Sequence, residues 1–482
     1  MVADDEGAER PSSRSVLVKP FSNKSIGLRL SARQRGGNAA PTEAKGVVEV
    51  GRESSGPTRR VDENMLNGRI ACGAWLALNL LAGCVSSRAQ DGGPRRMAAI
   101  VTEYRHNSHA DVIVSRLLLT DTLDGRGREL PLRLVSLYTD QKPAGDISRL
   151  LAASHRFPIN ARIADALTLG TGRLAVDGVL LVAEHGDYPV STTGNHRYPK
   201  RRFWDETIEV FRRSGKVVPV FIDKHLSDNW KDARRIYDTA RELKVPLMAG
   251  SSLPVTWRHP PADVERGARL SEVVGITYGT TDAYGFHGLE AVQALAEQRR
   301  GGETGVRAVQ CLLGPDVWRA LDEHKVDPDL FRAALARVPG YESGKTIERK
   351  DVKLPKLMIV HHIDGLRVHL FELNDAAGAW TAAWRDTEER SIISTEFWTQ
   401  EARPAGHFGI LVRGIEQMMI TGKPAWPVER TLLTSGTLNA LLLSQTRGGA
   451  LVETPELRVA YQPIWRWRQP PAPPPGRPWA EQ

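Results

Sequence analysis

Apolar and polar positions along this chain follow two regimes that change near Pro254. In the first, short apolar runs alternate with stretches of helical period. Ala98–Thr102 is an apolar run suited to a strand buried on both faces. Asn107 or Ser108 can cap the helix that follows, whose apolar positions Val112, Ile113, Leu117 and Leu118 fall at helical spacing. Leu132–Tyr138 reads as a strand ending at Asp140, Ile147–Ser154 and Ile163–Leu169 as helices, and Val176–Ala183 as the clearest buried strand. Trp204–Arg213 is helical, Val217–Ile222 a strand, Asp228–Leu243 a long amphipathic helix, and Val245–Met248 a further strand. Such alternation predicts right-handed crossovers and a doubly wound parallel sheet over 96–250. Ligands of these sheets sit beyond the carboxyl ends of the strands. The candidate residues are therefore Glu103 to His109, Asp140, Glu184 to Asp187, and Asp223 to His225.

Beyond Pro254, strands are predicted at Val273–Tyr278, Val306–Leu313, Lys356–Val360, Leu366–Leu373, Ser391–Trp398 and Leu457–Tyr461, with helices at Gly288–Gln298 and Gly406–Ile420. This pattern predicts a largely antiparallel α+β domain over 251–462. From Pro463, Trp465, Trp467 and a proline run make an extended tail, either a docking arm or disorder. His361-His362 with Asp364 reads as a solvated hairpin. The long Tyr188–Arg202 stretch, with its basic run Tyr198-Pro-Lys-Arg-Arg202, reads as a crevice loop whose charges face solvent or which serves as a lid.

The first 64 residues are rich in Gly, Ser, Arg, Glu and Ala and carry little hydrophobic period, as a disordered leader does. Met65–Arg69 and the apolar run Ile70–Gly83 have the build of an export signal, too short to span a bilayer, which takes roughly 20 apolar residues. Leu81-Ala-Gly-Cys84 resembles the lipobox of bacterial lipoproteins, which implies a lipid anchor on Cys84. If translation starts at Met65, residues 65–95 are signal and linker, and the protein is exported, periplasmic or membrane-anchored. If Met97 is the start, everything upstream is spurious or a disordered leader, and the protein is cytoplasmic.

Composition narrows the classes. A chain of 482 residues exceeds one ordinary core, and 41% hydrophobic with 25% charged residues suits a globular protein. The net charge of +8 is scattered over the leader and the Arg466–Arg477 tail, which argues against a nucleic-acid surface. Three cysteines, Cys72, Cys84 and Cys311, exclude a disulfide framework and a Cys-rich zinc site. Cys311, flanked by Val309, Leu312 and Leu313, reads as a buried strand thiol. His106, His109, His185 and His225 could converge with Glu103, Glu184 and Asp187, but no spacing among them specifies a metal site.

Several stretches between Met97 and Tyr461 resemble, in order, the Gfo/Idh/MocA family of glucose–fructose oxidoreductases, inositol dehydrogenases and MocA proteins. Val176–Ala183 with its polar loop is one. Gly215-Lys-Val-Val-Pro-Val-Phe-Ile-Asp-Lys-His-Leu226, followed by a helix ending in Val245-Pro-Leu-Met-Ala-Gly250, is similar to the family's GKHVLCEKPL element. Tyr284–Glu290 resembles its GxHxxD segment. Gly406–Gln417, with Gly422-Lys-Pro and Pro427-Val-Glu, resembles its closing helix and loop.

The resemblance implies a Rossmann-like first domain that binds NAD or NADP. It also implies a second, open-faced sheet that covers the site and mediates homo-oligomerisation. Its chemistry is hydride transfer at a hydroxyl of a sugar or cyclitol-like substrate. By position, Lys224 contacts the reacting hydroxyl and His287 serves as acid or base, while Glu103, Arg105, Asn107, Ser108, Asp140, Glu184, His185 and Asp223 lie on the cofactor side. The chain departs from the pattern in its first loop. Thr102–His109 has no glycine, so side chains push phosphates outward and Glu103 repels them, with Arg105 and the amines near Asn107 and Ser108 as offsetting donors. Asp223 and His225 replace a glutamate and a proline, and Ala283 stands where an aspartate is common. Two alternatives stay open beside the oxidoreductase. One is a non-redox relative, either a sugar-binding protein or a lyase- or hydrolase-like enzyme without classical dinucleotide binding. The other is an interaction protein using the second sheet and tail.

Overall fold

The computed structural model describes residues 93–341, 347–388 and 391–477, which belong to one compact unit. The leader, the apolar segment with Cys72 and Cys84, and residues 478–482 lie outside the described residues.

The first sheet contains β1 (Arg95–Val101), β2 (Leu132–Thr139), β3 (Ile159–Asn160), β4 (Gly178–Val182), β5 (Val220–Asp223) and β6 (Leu247–Gly250), in the order β3-β2-β1-β4-β5-β6. Every neighbouring pair is parallel. Between them run α1 (His109–Val114), α2 (Ser148–His155), α3 (Ile163–Thr168), α4 (Lys200–Ser214) and α5 (Trp230–Glu242). Helices cover both faces, so β4 is buried at each of its positions, which is why it reads as a continuous apolar run. The strand order reverses between β1 and β4, the topological switch point of such sheets.

The second sheet contains β7 (Trp257–His259), β8 (Leu270–Thr277), β9 (Val306–Leu313), β10 (Lys356–His362), β11 (Arg367–Glu372), β12 (Trp380–Asp386), β13 (Ile392–Trp398) and β14 (Val452–Glu453). Its order is β14-β9-β10-β11-β8-β12-β13-β7, and only the β8–β11 pair is parallel. The expected fold class holds: a Rossmann-like doubly wound sheet followed by an α+β domain with a mostly antiparallel sheet. The remaining helices are α6 (Phe286–Ala296), α7 (Pro315–Asp322), α8 (Pro328–Leu335), α9 (Gly406–Thr421) and α10 (Val428–Thr446). α6 packs on one face of this sheet. The other face is only partly open, because α8 lies against β8, β12 and β13 and α7 against β9.

Four features of how the parts are joined either differ from the sequence reading or decide between its alternatives. First, α9 returns to the first sheet instead of staying with the second. Its Leu411, Val412, Ile415 and Met418 are buried with Met97 and Val101, each such side chain contributing about 1.5–3 kcal/mol. α10 then packs against both α5 and α6, joining the two halves. Second, Leu457–Tyr461 is not a strand. The pairing comes earlier, at β14, and Pro455, which lacks an N–H, opens a tight turn that leaves Tyr461 a single bridge to Glu303. Third, the tail to residue 477 docks on the fold: Trp467 Nε1 donates to the Thr256 carbonyl (2.8 Å), and its ring lies 4.4 Å from the Arg258 guanidinium. Fourth, His362 is buried, with Nδ1 3.0 Å from Glu303, and Arg299 donates to Asp364, so the hairpin closes over an internal ion pair. Cys311 is a buried strand thiol.

Candidate active site

The carboxyl edge of the first sheet divides into two parts. At the tips of β1 and β2 the protein bonds to itself. Thr102 donates its N–H to the Val182 carbonyl (3.2 Å) and its hydroxyl to the Glu184 carbonyl (2.7 Å). The loop after β4 lies across the tip of β1, and Gln141, just past β2, exchanges two hydrogen bonds of 2.9 Å with the backbone of Asp187. Gly186 makes this crossing at φ +107°, a left-handed conformation that a side chain resists. A Cβ there would meet the Tyr188 ring at 2.6 Å. The crevice at the switch point is therefore bridged by protein.

The residues expected to hold a dinucleotide on this side are engaged internally. Glu103, buried, accepts from Arg105 Nε (2.6 Å). Ser108 caps α1, a helix of only six residues, and Asn107 N–H donates to Asp111 (2.8 Å). That buried Asp111 also accepts from Ser115 (2.6 Å) and Arg403 (2.6 Å), so an internal carboxylate already occupies the helix start. Asp140 accepts from the hydroxyls of Tyr138 (2.6 Å) and Tyr188 (2.7 Å) and from Arg202. Burial acts to raise its pKa, but these donors hold it below the usual carboxylate range. In this structure Glu103, Arg105, Asn107, Ser108 and Asp140, expected on the cofactor side, each bond to other residues of the chain.

At the tips of β4, β5 and β6 a cavity of about 220 Å³ opens instead, closed on its far side by Asp282, Tyr284, Trp380 and the start of α9. Its charged floor is built by two lysines on one carboxylate. Lys200 Nζ lies 2.6 Å from Glu184 Oε1 and donates to the carbonyls of Asp223 (2.9 Å) and His225 (2.8 Å). Lys224 Nζ lies 3.2 Å from Glu184 Oε2. Burial would raise the Glu184 carboxyl, but Lys200 and Lys224 outweigh it and hold it well below its ordinary value. Burial likewise acts to lower Lys224, yet Glu184 and Asp223 raise it, so the amine stays charged. Both strand tips turn through left-handed backbone, at His185 (φ 66°) and Lys224 (φ 57°), and Lys200 pins the second turn by its carbonyls. Lys200 was read from sequence as part of a solvated basic run; its side chain is 1% exposed.

Two histidines face this cavity with defined polarity. His109 Nδ1 lies 2.6 Å from Asp223 Oδ2, and Asp223 is buried. A carboxylate accepts the Nδ1 proton, which leaves the Nε2 lone pair as a base. His287 Nδ1 lies 2.6 Å from Ser251 Oγ, which already accepts from Leu253 N–H (3.0 Å). When the serine hydroxyl donates to Nδ1, the His287 N–H is at Nε2 and faces the cavity side of the ring. Burial, reinforced by Lys224 and His109, holds His287 well below the ordinary histidine range, so it is a neutral donor. The two rings are 6.4 Å apart by centroid. Around them stand His185, lowered by burial and by His109 to about 3, His225, lowered by burial and by Lys200 to about 4, and His407, lowered by burial and by Arg116 to about 3. His185 Nε2, His225 Nδ1 and His407 Nδ1 have no hydrogen-bond partner among the described residues. Among those residues no group of three or more His, Cys, Asp or Glu is placed to hold a metal ion.

The structure thus brings together Lys224, His287, Glu184, His185 and Asp223 from the sequence candidates, with His109 and His225, and leaves Glu103, Arg105, Asn107, Ser108 and Asp140 on the bridged side. Sequence reasoning missed Lys200, and missed His407 and Phe408, because α9 was assigned to the second domain. It also missed the His196–Asp282 pair (3.0 Å) at the rim. A nicotinamide dinucleotide does not fit the site as built. The loop after β4 bridges the switch-point crevice through the Gln141–Asp187 and Asp140–Tyr188 contacts, where the dinucleotide would have to lie.

No family model matches the chain, and no curated protein matches it. Among solved structures, GenD2 from gentamicin A biosynthesis in complex with NAD is similar at 15% identity and TM-score 0.47, covering 76% of this chain and 98% of its own. An NAD-binding oxidoreductase from Klebsiella pneumoniae is 15% identical (TM-score 0.44, 75% and 98% covered). The apo scyllo-inositol dehydrogenase of Lactobacillus casei is 10% identical (TM-score 0.46, 75% and 98% covered). The architecture of this chain rests on its strand order, not on these likenesses.

Proposed function

We propose that this chain is an enzyme of proton transfer, isomerising or epimerising a small polyhydroxylated carbonyl compound of the sugar class without a dinucleotide. The observation that carries this reading is the Asp223–His109 pair, which opens onto the same small cavity as a charged Lys224 and a neutral His287. His109 Nε2 takes a proton from the carbon beside the carbonyl. The electron pair moves onto the carbonyl oxygen, where the Lys224 ammonium and the His287 Nε2–H meet the developing charge. Return of the proton to the same carbon from the opposite face gives an epimer with no change of oxidation state; return to the neighbouring carbon, with the hydroxyl proton passing to the former carbonyl oxygen, gives the isomer by an internal redox change, so neither consumes an external oxidant. Asp223 holds the imidazole in the required tautomer and Lys200 holds the β5 turn that presents Lys224.

The test is incubation with a panel of aldoses, ketoses and cyclitol ketones in D₂O, read by proton NMR. The reading expects a carbon-bound proton to be lost from at least one substrate. Saccharide binding with no exchange would replace it with a binding protein.

A second reading, hydride transfer with a nicotinamide cofactor, is favoured by the strand order and by Lys224 and His287 sharing one cavity. It requires the Gln141–Asp187 and Asp140–Tyr188 contacts to open, and stoichiometric binding of NAD or NADP would select it.

A further inference from the structure

Next to the cavity lies a second concavity of about 520 Å³, and Tyr198 lines both. Its walls are polar almost throughout: Ser191, Thr193 and Arg197 from the loop before α4, Asp228 and Asp232 around the start of α5, and Asn439 from α10. The loop is a built wall. Ser191 N–H donates to the Asn195 carbonyl (2.7 Å), and Arg197 N–H to the Pro189 carbonyl (2.9 Å). Buried Asn195 donates from Nδ2 to Asp282 Oδ1 (3.4 Å), so one residue pair ties the wall of the groove to the wall of the cavity. The Tyr198 ring, stacked on His196 at 5.6 Å and 14°, forms the divide.

The chemistry of these walls selects a ligand class. Hydroxyls, amides and a guanidinium, with Tyr198 as the one aromatic surface in the lining, offer little to a lipid. Asp228 opposes a phosphate or a nucleotide, while Asp232 is held in a pair with Arg201 (2.7 Å). A neutral, polyhydroxylated chain passing an aromatic edge satisfies both constraints, because many hydroxyls find donors and acceptors while the sugar ring packs on the tyrosine. We propose that this groove is a second saccharide subsite, so that the substrate is a reducing disaccharide or longer glycan whose reducing sugar enters the cavity past Tyr198. The inference rests on the proton-transfer reading of the cavity and names its substrate class.

Calorimetric affinities and D₂O exchange rates are compared for single hexoses and for reducing disaccharides that end in the same hexose, on wild type and on Arg197→Ala and Asp228→Asn. The proposal expects at least about tenfold tighter disaccharide binding in wild type, with the disaccharide-to-hexose ratio falling towards one in both variants. Exchange on hexoses with no gain from a second sugar would overturn the subsite and leave the proton-transfer reading intact. A gain that survives both variants would move the second sugar elsewhere and also overturn it. Binding of neither length would overturn both readings.

Discussion

The tips of β1 and β2 and the tips of β4, β5 and β6 belong to one sheet edge and carry similar residues, acids and histidines in short loops. In the first group each acid ends on a donor from the chain itself: Glu103 on Arg105, Asp111 on Arg403, Asp140 on two tyrosines and Arg202. In the second group the acids are equally engaged, but they hold something for use. Asp223 orients His109, Glu184 keeps Lys224 charged, and three imidazole nitrogens beside them have no hydrogen-bond partner among the described residues. A buried carboxylate on its own distinguishes neither group. What differs is whether its partner ends in packed protein or at a cavity wall.

Substitutions on the two sides should therefore diverge. The largest effect is expected from His109→Asn, which should slow D₂O exchange about 10²–10⁴-fold while leaving the urea midpoint close to wild type. An unchanged rate would break the comparison on its functional side. Next comes Lys200→Met, which leaves a buried carboxylate with one partner fewer and should cost about 3–5 kcal/mol in urea unfolding. Adding Glu184→Gln should recover part of that loss, since the uncompensated charge is then gone, and a strictly additive double variant would deny the coupling.

The pH dependence of stability is the third test. His185, His225, His287 and His407 protonate only well below the ordinary histidine range in the folded chain, and the first, second and fourth at about 3, about 4 and about 3. Between those values and the unfolded value of about 6.5 the unfolded chain holds more protons, so stability rises with pH across that window and flattens above about pH 7. Glu184, also depressed, acts in the same direction at lower pH, its contribution being lost as pH falls below the usual carboxylate value. Unfolding free energies from urea titrations between about pH 5 and about pH 7.5 should climb by up to about 1.4 kcal/mol per pH unit for each such histidine, and His407→Leu should flatten the slope. The smallest effect belongs to the bridged side. Asp140→Asn should cost about 1–2 kcal/mol and leave exchange within about twofold of wild type. A loss above about tenfold there would mean that the β2 tip takes part in the chemistry.

The first sheet was legible in the sequence because its strands and helices announce themselves by period, and the tips that carry chemistry followed from the topology. What stayed hidden was set by tertiary burial. α10 is buried on nearly every side, Arg430, Thr431, Thr434 and Ser435 included, and carries Gly436 at its centre, where a Cβ would collide with Leu457 and Trp230, so no amphipathic stripe marks it. β12 places Ala382 and Ala383 at its middle, residues that favour strands poorly but fit between packed layers. α7 and α8 did carry a signal, Pro315 and Pro328 at their first positions. Lys200 could not be told from its neighbours Arg201 and Arg202 by composition, because the carboxylate that draws it inward lies on another strand tip.

The most direct test of the divided sheet edge is calorimetric titration of the full chain with NAD⁺, NADP⁺ and their reduced forms at millimolar concentration. With the switch point bridged by Gln141, Asp187 and Tyr188, no saturable heat is expected from any of the four. A stoichiometric binding isotherm for one of them, strengthened by Gln141→Ala, would contradict the account and return the cavity to hydride transfer.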